Sequence, residues 1–185
     1  MKRSVRGIGA VVAKAAEVAA LAAGVALLAI MAATSLNAAG FALDRLARPF
    51  GGAVPGLPGY EDFVNLTLSG AALLFFPYCQ LRRGHVVVDI FTKGLPAPLG
   101  RALDLLWLLV LAALALFLAY WMTLGLMETR ADGVRSPVLG WPLWPFYLPG
   151  VAALLLWALV CLTQAAAGPE AGASGAAEGA SGQDG

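Results

Sequence analysis

Four long apolar runs, parted by short polar and Gly/Pro-rich stretches, set the pattern of the chain. They lie at about Val18–Leu36, Phe63–Gln80, Leu105–Met127 and Trp144–Thr163, and the third carries no charge at all. A helix needs roughly 20 mostly apolar residues to cross a hydrocarbon core about 30 Å thick, and each run is of that order. Backbone polar groups in lipid must be satisfied within the segment, so the runs predict helices. Nothing alternates with period two over the lengths a barrel strand needs. The expected architecture is an all-α membrane protein with four transmembrane helices, within a domain spanning residues 15–164. Residues 1–14 form a basic leading segment. Residues 165–185 are Ala, Gly, Ser and acidic, cannot bury a core, and are expected to be a disordered tail.

The stretches between the runs predict smaller elements. Residues 41–50 (FALDRLARPF) would be apolar on one side and charged on the other if helical. They predict a short helix lying at the membrane interface, followed by a Gly/Pro loop over residues 51–59. The segment from Val86 to Leu95 could also lie along the membrane surface, although its three valines leave strand-like pairing open. Within the runs, Asn65, Ser69 and Ala72 share one face, as do Ala112, Ala115 and Ala119. Both stripes predict close helix packing, because small residues let backbones approach and Asn or Ser can bond across helices.

Lys2, Arg3 and Arg6 ahead of an apolar run could also open a signal peptide. Signal h-regions are shorter, about 7–15 residues, and end at a small-x-small site. Here the run is longer and ends in Ser35-Leu36-Asn37-Ala38, a poor cleavage sequence, so an uncleaved first helix is expected. Lys and Arg in short loops set orientation. Four precede the first run (Lys2, Arg3, Arg6, Lys14) and four follow the second (Arg82, Arg83, Lys93, Arg101). Only Arg45 and Arg48 lie in the first loop, and Arg130 and Arg135 in the third. Both termini are therefore expected in the cytoplasm, with Trp141, Trp144 and Tyr147 anchoring the fourth helix at the outer face.

Composition narrows the function classes. The chain is 60% hydrophobic and 12% charged, about half the charged fraction of a soluble domain. A net charge of +1 without a basic stripe gives no reason to expect nucleic acid as a partner. Cys79 and Cys161 have no metal-ligand spacing, and a haem held by the one histidine, His85, would need a second chain. No cofactor is expected. A carrier of polar solutes wants polar or ionisable groups near mid-membrane, yet Glu17, Asp104 and Glu128 sit at the ends of the runs. Spans this poor in polar groups offer no nucleophilic or acid–base constellation, so a supporting or docking role is expected in place of catalysis.

Two motifs rise above this background. One is Arg82-Arg83-Gly84-His85-Val86-Val87-Val88-Asp89-Ile90 after the second run. The other is Ser136-Pro137-Val138-Leu139-Gly140-Trp141-Pro142-Leu143-Trp144 before the fourth. Read singly, they are a topology signal and an interface anchor. In this order in a four-helix chain, the Gly-His-Val-x-Val-Asp and Ser-Pro-x-Leu-Gly-x-Pro-x-Trp patterns resemble the small membrane subunit (DctQ family) of tripartite ATP-independent periplasmic (TRAP) transporters. Glu61 fits the acidic residue such proteins place ahead of the second helix. The resemblance covers roughly residues 15–165; the long first loop and the low-complexity tail depart from it.

The resemblance implies a scaffold in the bacterial inner membrane, held among its lipids, for a large multi-spanning permease subunit that carries transport and cation coupling. A periplasmic substrate-binding protein would deliver an organic acid. It also implies that Arg83, Gly84, His85 and Asp89 organise the inner loop toward the partner or lipid headgroups. Glu61, Ser136, Pro137, Trp141, Pro142 and Trp144 would shape the outer face. Asp44, Arg45 and Arg48, with residues 128–135, are docking candidates for the binding protein. Two other readings stay open: a small homo-oligomeric exporter, for which Glu17 is the available carboxylate, and a membrane anchor of a redox enzyme.

Overall fold

The computed structural model describes residues 2–54, 56–82 and 97–167, and among these there are four long helices and no strand. Helix α1 runs Lys2–Ala47, α2 Tyr60–Leu81, α3 Ala97–Ala131 and α4 Tyr147–Ala167. Short 3-10 turns follow α1 at Arg48–Phe50 and precede α4 at Trp144–Phe146. All four helices are long and apolar enough to cross a membrane.

The central element is α4, which packs against each of the other three helices, while α1 and α2 also pack on each other. Its buried face is Gly150, Ala153, Leu154, Trp157, Ala158, Val160 and Cys161. Against it α3 sets Ala112, Ala115 and Ala119, the stripe expected from the sequence. Three-residue and four-residue spacings place these alanines on one line, and their small side chains let the helices close up. Where α2, α3 and α4 converge, Gly150 leaves room for the Met122 thioether, which a Cβ there would push aside, and for Leu73, 3.0 Å from that position.

Helix α1 differs from expectation in length. The segment 41–50 is helical, but it is no separate interfacial element: its residues continue α1 through Ala47, giving 46 helical residues and a rod of about 69 Å. No Pro interrupts the stretch from the spanning run into this segment, and Gly40 stays helical on the packed side of α1. What ends it is Pro49 in the 3-10 turn and Gly51, which adopts φ 76°. A second pattern runs its length. Positions 9, 16, 23, 30, 37 and 44, and 12, 19, 26, 33, 40 and 47, are all buried or half-buried. This seven-residue repeat marks a left-handed, coiled-coil-like seam, and most of its members are Ala or Gly. At one end Val12 and Ala16 meet Val160, with Leu81 and Leu156 alongside.

The second stripe expected from the sequence behaves differently. The buried face of α2 is Asp62, Gly70, Ala71, Pro77 and Gln80, whereas Asn65, Ser69 and Ala72 point away from the other helices. The segment 86–95 lies outside the described residues, as does the chain beyond Ala167.

Candidate functional site

The two loops that share one end of the bundle, 48–59 and 132–146, are built onto it by side chains buried at the helix ends. Asn37 and Asp44 occupy the seven-residue seam of α1 where the chain returns as a loop and not as a helix. Asn37 is 4% exposed and its Oδ1 accepts the Leu57 N–H at 3.0 Å. Asp44 Oδ1 accepts the Val54 N–H at 3.1 Å, and its Oδ2 takes the Arg48 guanidinium at 2.8 and 2.9 Å. Polar side chains thus replace alanines on the seam where backbone donors need partners.

Asp62, in the first turn of α2, does the same for the other loop. It is 8% exposed, and one oxygen, Oδ2, accepts the N–H groups of Val138 and Leu139, both at 2.9 Å. The loop closes on itself around Ser136: its N–H donates to the Trp141 carbonyl at 2.8 Å, and its Oγ accepts the Trp141 N–H at 3.1 Å. Arg135 donates to the Gly140 carbonyl at 3.1 Å. Gly140 has φ 66°, the left-handed geometry that favours glycine in such a turn. The pattern Ser-Pro-x-Leu-Gly-x therefore describes a closed turn seated on a carboxylate. Gly59 (φ 78°) leaves the space that the Leu139 side chain occupies, since a Cβ there would clash with it.

Asp44 and Asp62 both lie outside the uncharged apolar segments, and each carboxyl is held below its ordinary value of 3.8. For Asp62 the chief cause is the Leu139 N–H, with Val138 and Ser136 adding to it; for Asp44 it is the Val54 N–H, with Arg48 adding. Hydrogen bonds donated to the ionised form favour it.

Among the residues expected to matter, Ser136 is buried, while Pro137, Trp141 and Pro142 are exposed around it. Trp141 stacks on Phe146, and the Arg130 guanidinium lies over Trp144, 5.1 Å from the ring centroid. Glu61 is exposed and accepts the Tyr60 hydroxyl, at 3.3 Å. The buried carboxylate is its neighbour Asp62, which sequence reasoning passed over. Of Asp44, Arg45 and Arg48, the first and last are paired with each other, and both arginines are exposed. Arg83, Gly84, His85 and Asp89 lie outside the described residues.

At the opposite end a polar cluster joins α2 to α4. Gln80, 5% exposed, donates to Gln164 Oε1 at 3.0 Å, and Gln164 donates back to the Gln80 carbonyl at 3.1 Å and the Leu81 carbonyl at 3.4 Å. The Gln164 amide thus serves the last carbonyls of α2. Among the described residues no three metal-ligating side chains converge.

A family model described as "Tripartite ATP-independent periplasmic transporters, DctQ component" matches residues 41–168. The match takes in the last turns of α1, all of α2, α3 and α4, and the loops between them. Neither a curated protein nor a solved structure matches the chain. A match over more than half the chain, on four helices suited to span a membrane, makes this a multi-pass membrane protein of the DctQ family, the small membrane subunit of TRAP transporters.

Proposed function

We propose that the chain scaffolds a large multi-spanning permease subunit in the bacterial inner membrane and helps a periplasmic binding protein dock for cation-coupled uptake of organic acids. The family match carries this reading. The helices support it: between residues 18 and 43 of α1, 63 and 81 of α2 and 105 and 127 of α3 no charged side chain occurs, so the solute and its coupling ion are expected to pass through the partner.

Both termini face the cytoplasm in this reading, because the two richer Lys/Arg clusters lie at the end where α1 begins. The end built on Asn37, Asp44 and Asp62 then faces the periplasm. It offers Arg45, beside a shallow groove floored by Ala38, Phe41 and Ala42, and the exposed turn 137–142. Charged contacts there would be salt-sensitive and would act mainly on the rate of encounter. At the cytoplasmic end, Arg83, Gly84, His85 and Asp89 would contact the large subunit or lipid headgroups.

The test is purification of the tagged chain from its native membranes in mild detergent, with mass spectrometry of what co-elutes. A near-stoichiometric many-spanning protein is the expected result. A chain that elutes alone or as a homo-oligomer in several detergents would overturn the scaffold.

A further inference from the structure

The outward face of α2 differs chemically from the outward faces of its neighbours. Along it lie Asn65, Leu68, Ser69, Ala72 and Cys79, all exposed on one side of the helix. Elsewhere the surface that would meet lipid tails is plain. Residues 18–33 of α1 and 105–119 of α3 contain no amide, hydroxyl or charged side chain, and the exposed residues there are aliphatic or aromatic. Helix α2 is also the least apolar of the four.

Outside α2 the described threonines bond locally, although Ser35, near the end of the α1 run, does not. Thr34, Thr123, Thr129 and Thr163 each donate to a carbonyl of their own helix, at 2.6–2.9 Å. No such bond is formed by Ser69, and Asn65 makes no side-chain hydrogen bond among the described residues. An amide and a hydroxyl, one turn apart with their bonding capacity unused, are costly against hydrocarbon. Next to Ala72 they form the kind of surface that favours a close, hydrogen-bonded helix contact.

We infer that this face of α2, centred on Asn65, Ser69 and Ala72, is where a transmembrane helix of the large permease subunit packs. The assignment rests on the scaffold reading above and adds the surface to it. The helix that fits would be small at the position facing Ala72 and would carry a hydrogen-bonding group opposite Asn65 or Ser69. The Leu-rich outer face of α3 is then left to lipid.

Two variants test this in the full chain co-expressed with its transporter. S69L combined with A72L adds bulk that lipid accepts readily but a close helix contact does not; A113L does the same on the exposed face of α3. The double variant is expected to lower recovery of the large subunit by about tenfold, the scale set by losing one interhelical polar contact. Helical content by circular dichroism stays that of the parent chain, and A113L recovers the partner normally. A benzoylphenylalanine photo-crosslinker at Ala72 is expected to capture the large subunit, and one at Ala113 to capture none. Full recovery with the double variant, or capture of the chain's own second copy from Ala72, overturns the assigned face. Failure of the unaltered chain to recover any large subunit overturns the scaffold reading itself, so the two failures are distinct.

Discussion

Asp62 and Gly59 show how single residues set the shape of the loop end. The Asp62 carboxylate collects two backbone N–H groups from a turn more than 70 positions away, so Asp62→Ala should free residues 136–141 while leaving the helices intact. Amide hydrogen exchange in that turn should accelerate, with the α4 core unchanged; equal protection in both proteins would contradict the role. The pH dependence follows from the sign of the shift. The carboxyl is held below 3.8 when folded, so its stabilisation is fully present above that value and is lost as pH falls through the lower folded value. Protection of Val138 and Leu139 should therefore persist through neutral and mildly acidic pH and fail only below 3.8. Gly59→Ala should cost roughly 1–2 kcal/mol for the left-handed backbone, with a further penalty from the Leu139 contact, read as a lowered thermal midpoint in detergent. The sequence marks Ser136 and Pro137 by their motif and Glu61 by its place ahead of α2, but nothing in it singles out Asp62. Two adjacent acids in a first helical turn look alike in sequence, and only the helix phase says which one points inward.

The helices themselves were legible at the level of number and type, because apolar runs of spanning length have one stable backbone form in lipid. Their ends were not. Hydropathy marks the part of a helix that lies in lipid, whereas α1 and α3 continue past it into Asp44, Arg101 and Glu128, where helix propensity and capping decide. Packing faces were half legible. The α3 alanines pack as their spacing suggests, but the same logic applied to Asn65, Ser69 and Ala72 found a face that this chain leaves open. A stripe of small residues announces a contact without naming its partner. The seven-residue seam of α1 is hard to see in the sequence, because alanines and apolar residues also fill the positions around it. Leucine at Ala23, which is fully buried on that seam, should separate α1 from its neighbours and cost about 1–3 kcal/mol as overpacking. Ala22→Leu, one residue along on the exposed side, should cost nothing measurable. Equal thermal midpoints for the two variants would remove the seam as a stabilising element.

At the scale of the whole molecule, the two ends of the bundle are secured in different ways. One end is locked by carboxylates and an amide that hold loops, the other by the Gln80–Gln164 exchange that ties α2 to α4. This asymmetry matches the charge asymmetry: the end with Gln80 lies next to Arg82 and the basic start of α1, and the loop end has fewer cations. If Lys and Arg set the orientation, the Gln80 end faces the cytoplasm and the closed turn on Asp62 faces the periplasm. Reporter fusions decide this without a partner. Alkaline phosphatase joined after Gly133, in the loop ahead of Ser136, should be active, because the enzyme folds only outside the cytoplasm; joined at the end of the chain it should be inactive. A green fluorescent protein at the same C-terminal position should glow. Replacing Lys2, Arg3, Arg6 and Lys14 with Gln should weaken this preference and produce a mixed population, since the second cluster at Arg82 and Arg83 still favours the original orientation. Activity of the C-terminal phosphatase fusion in the unaltered chain would reverse the assignment of the two ends, and with it the proposal that the turn around Ser136 meets a periplasmic partner.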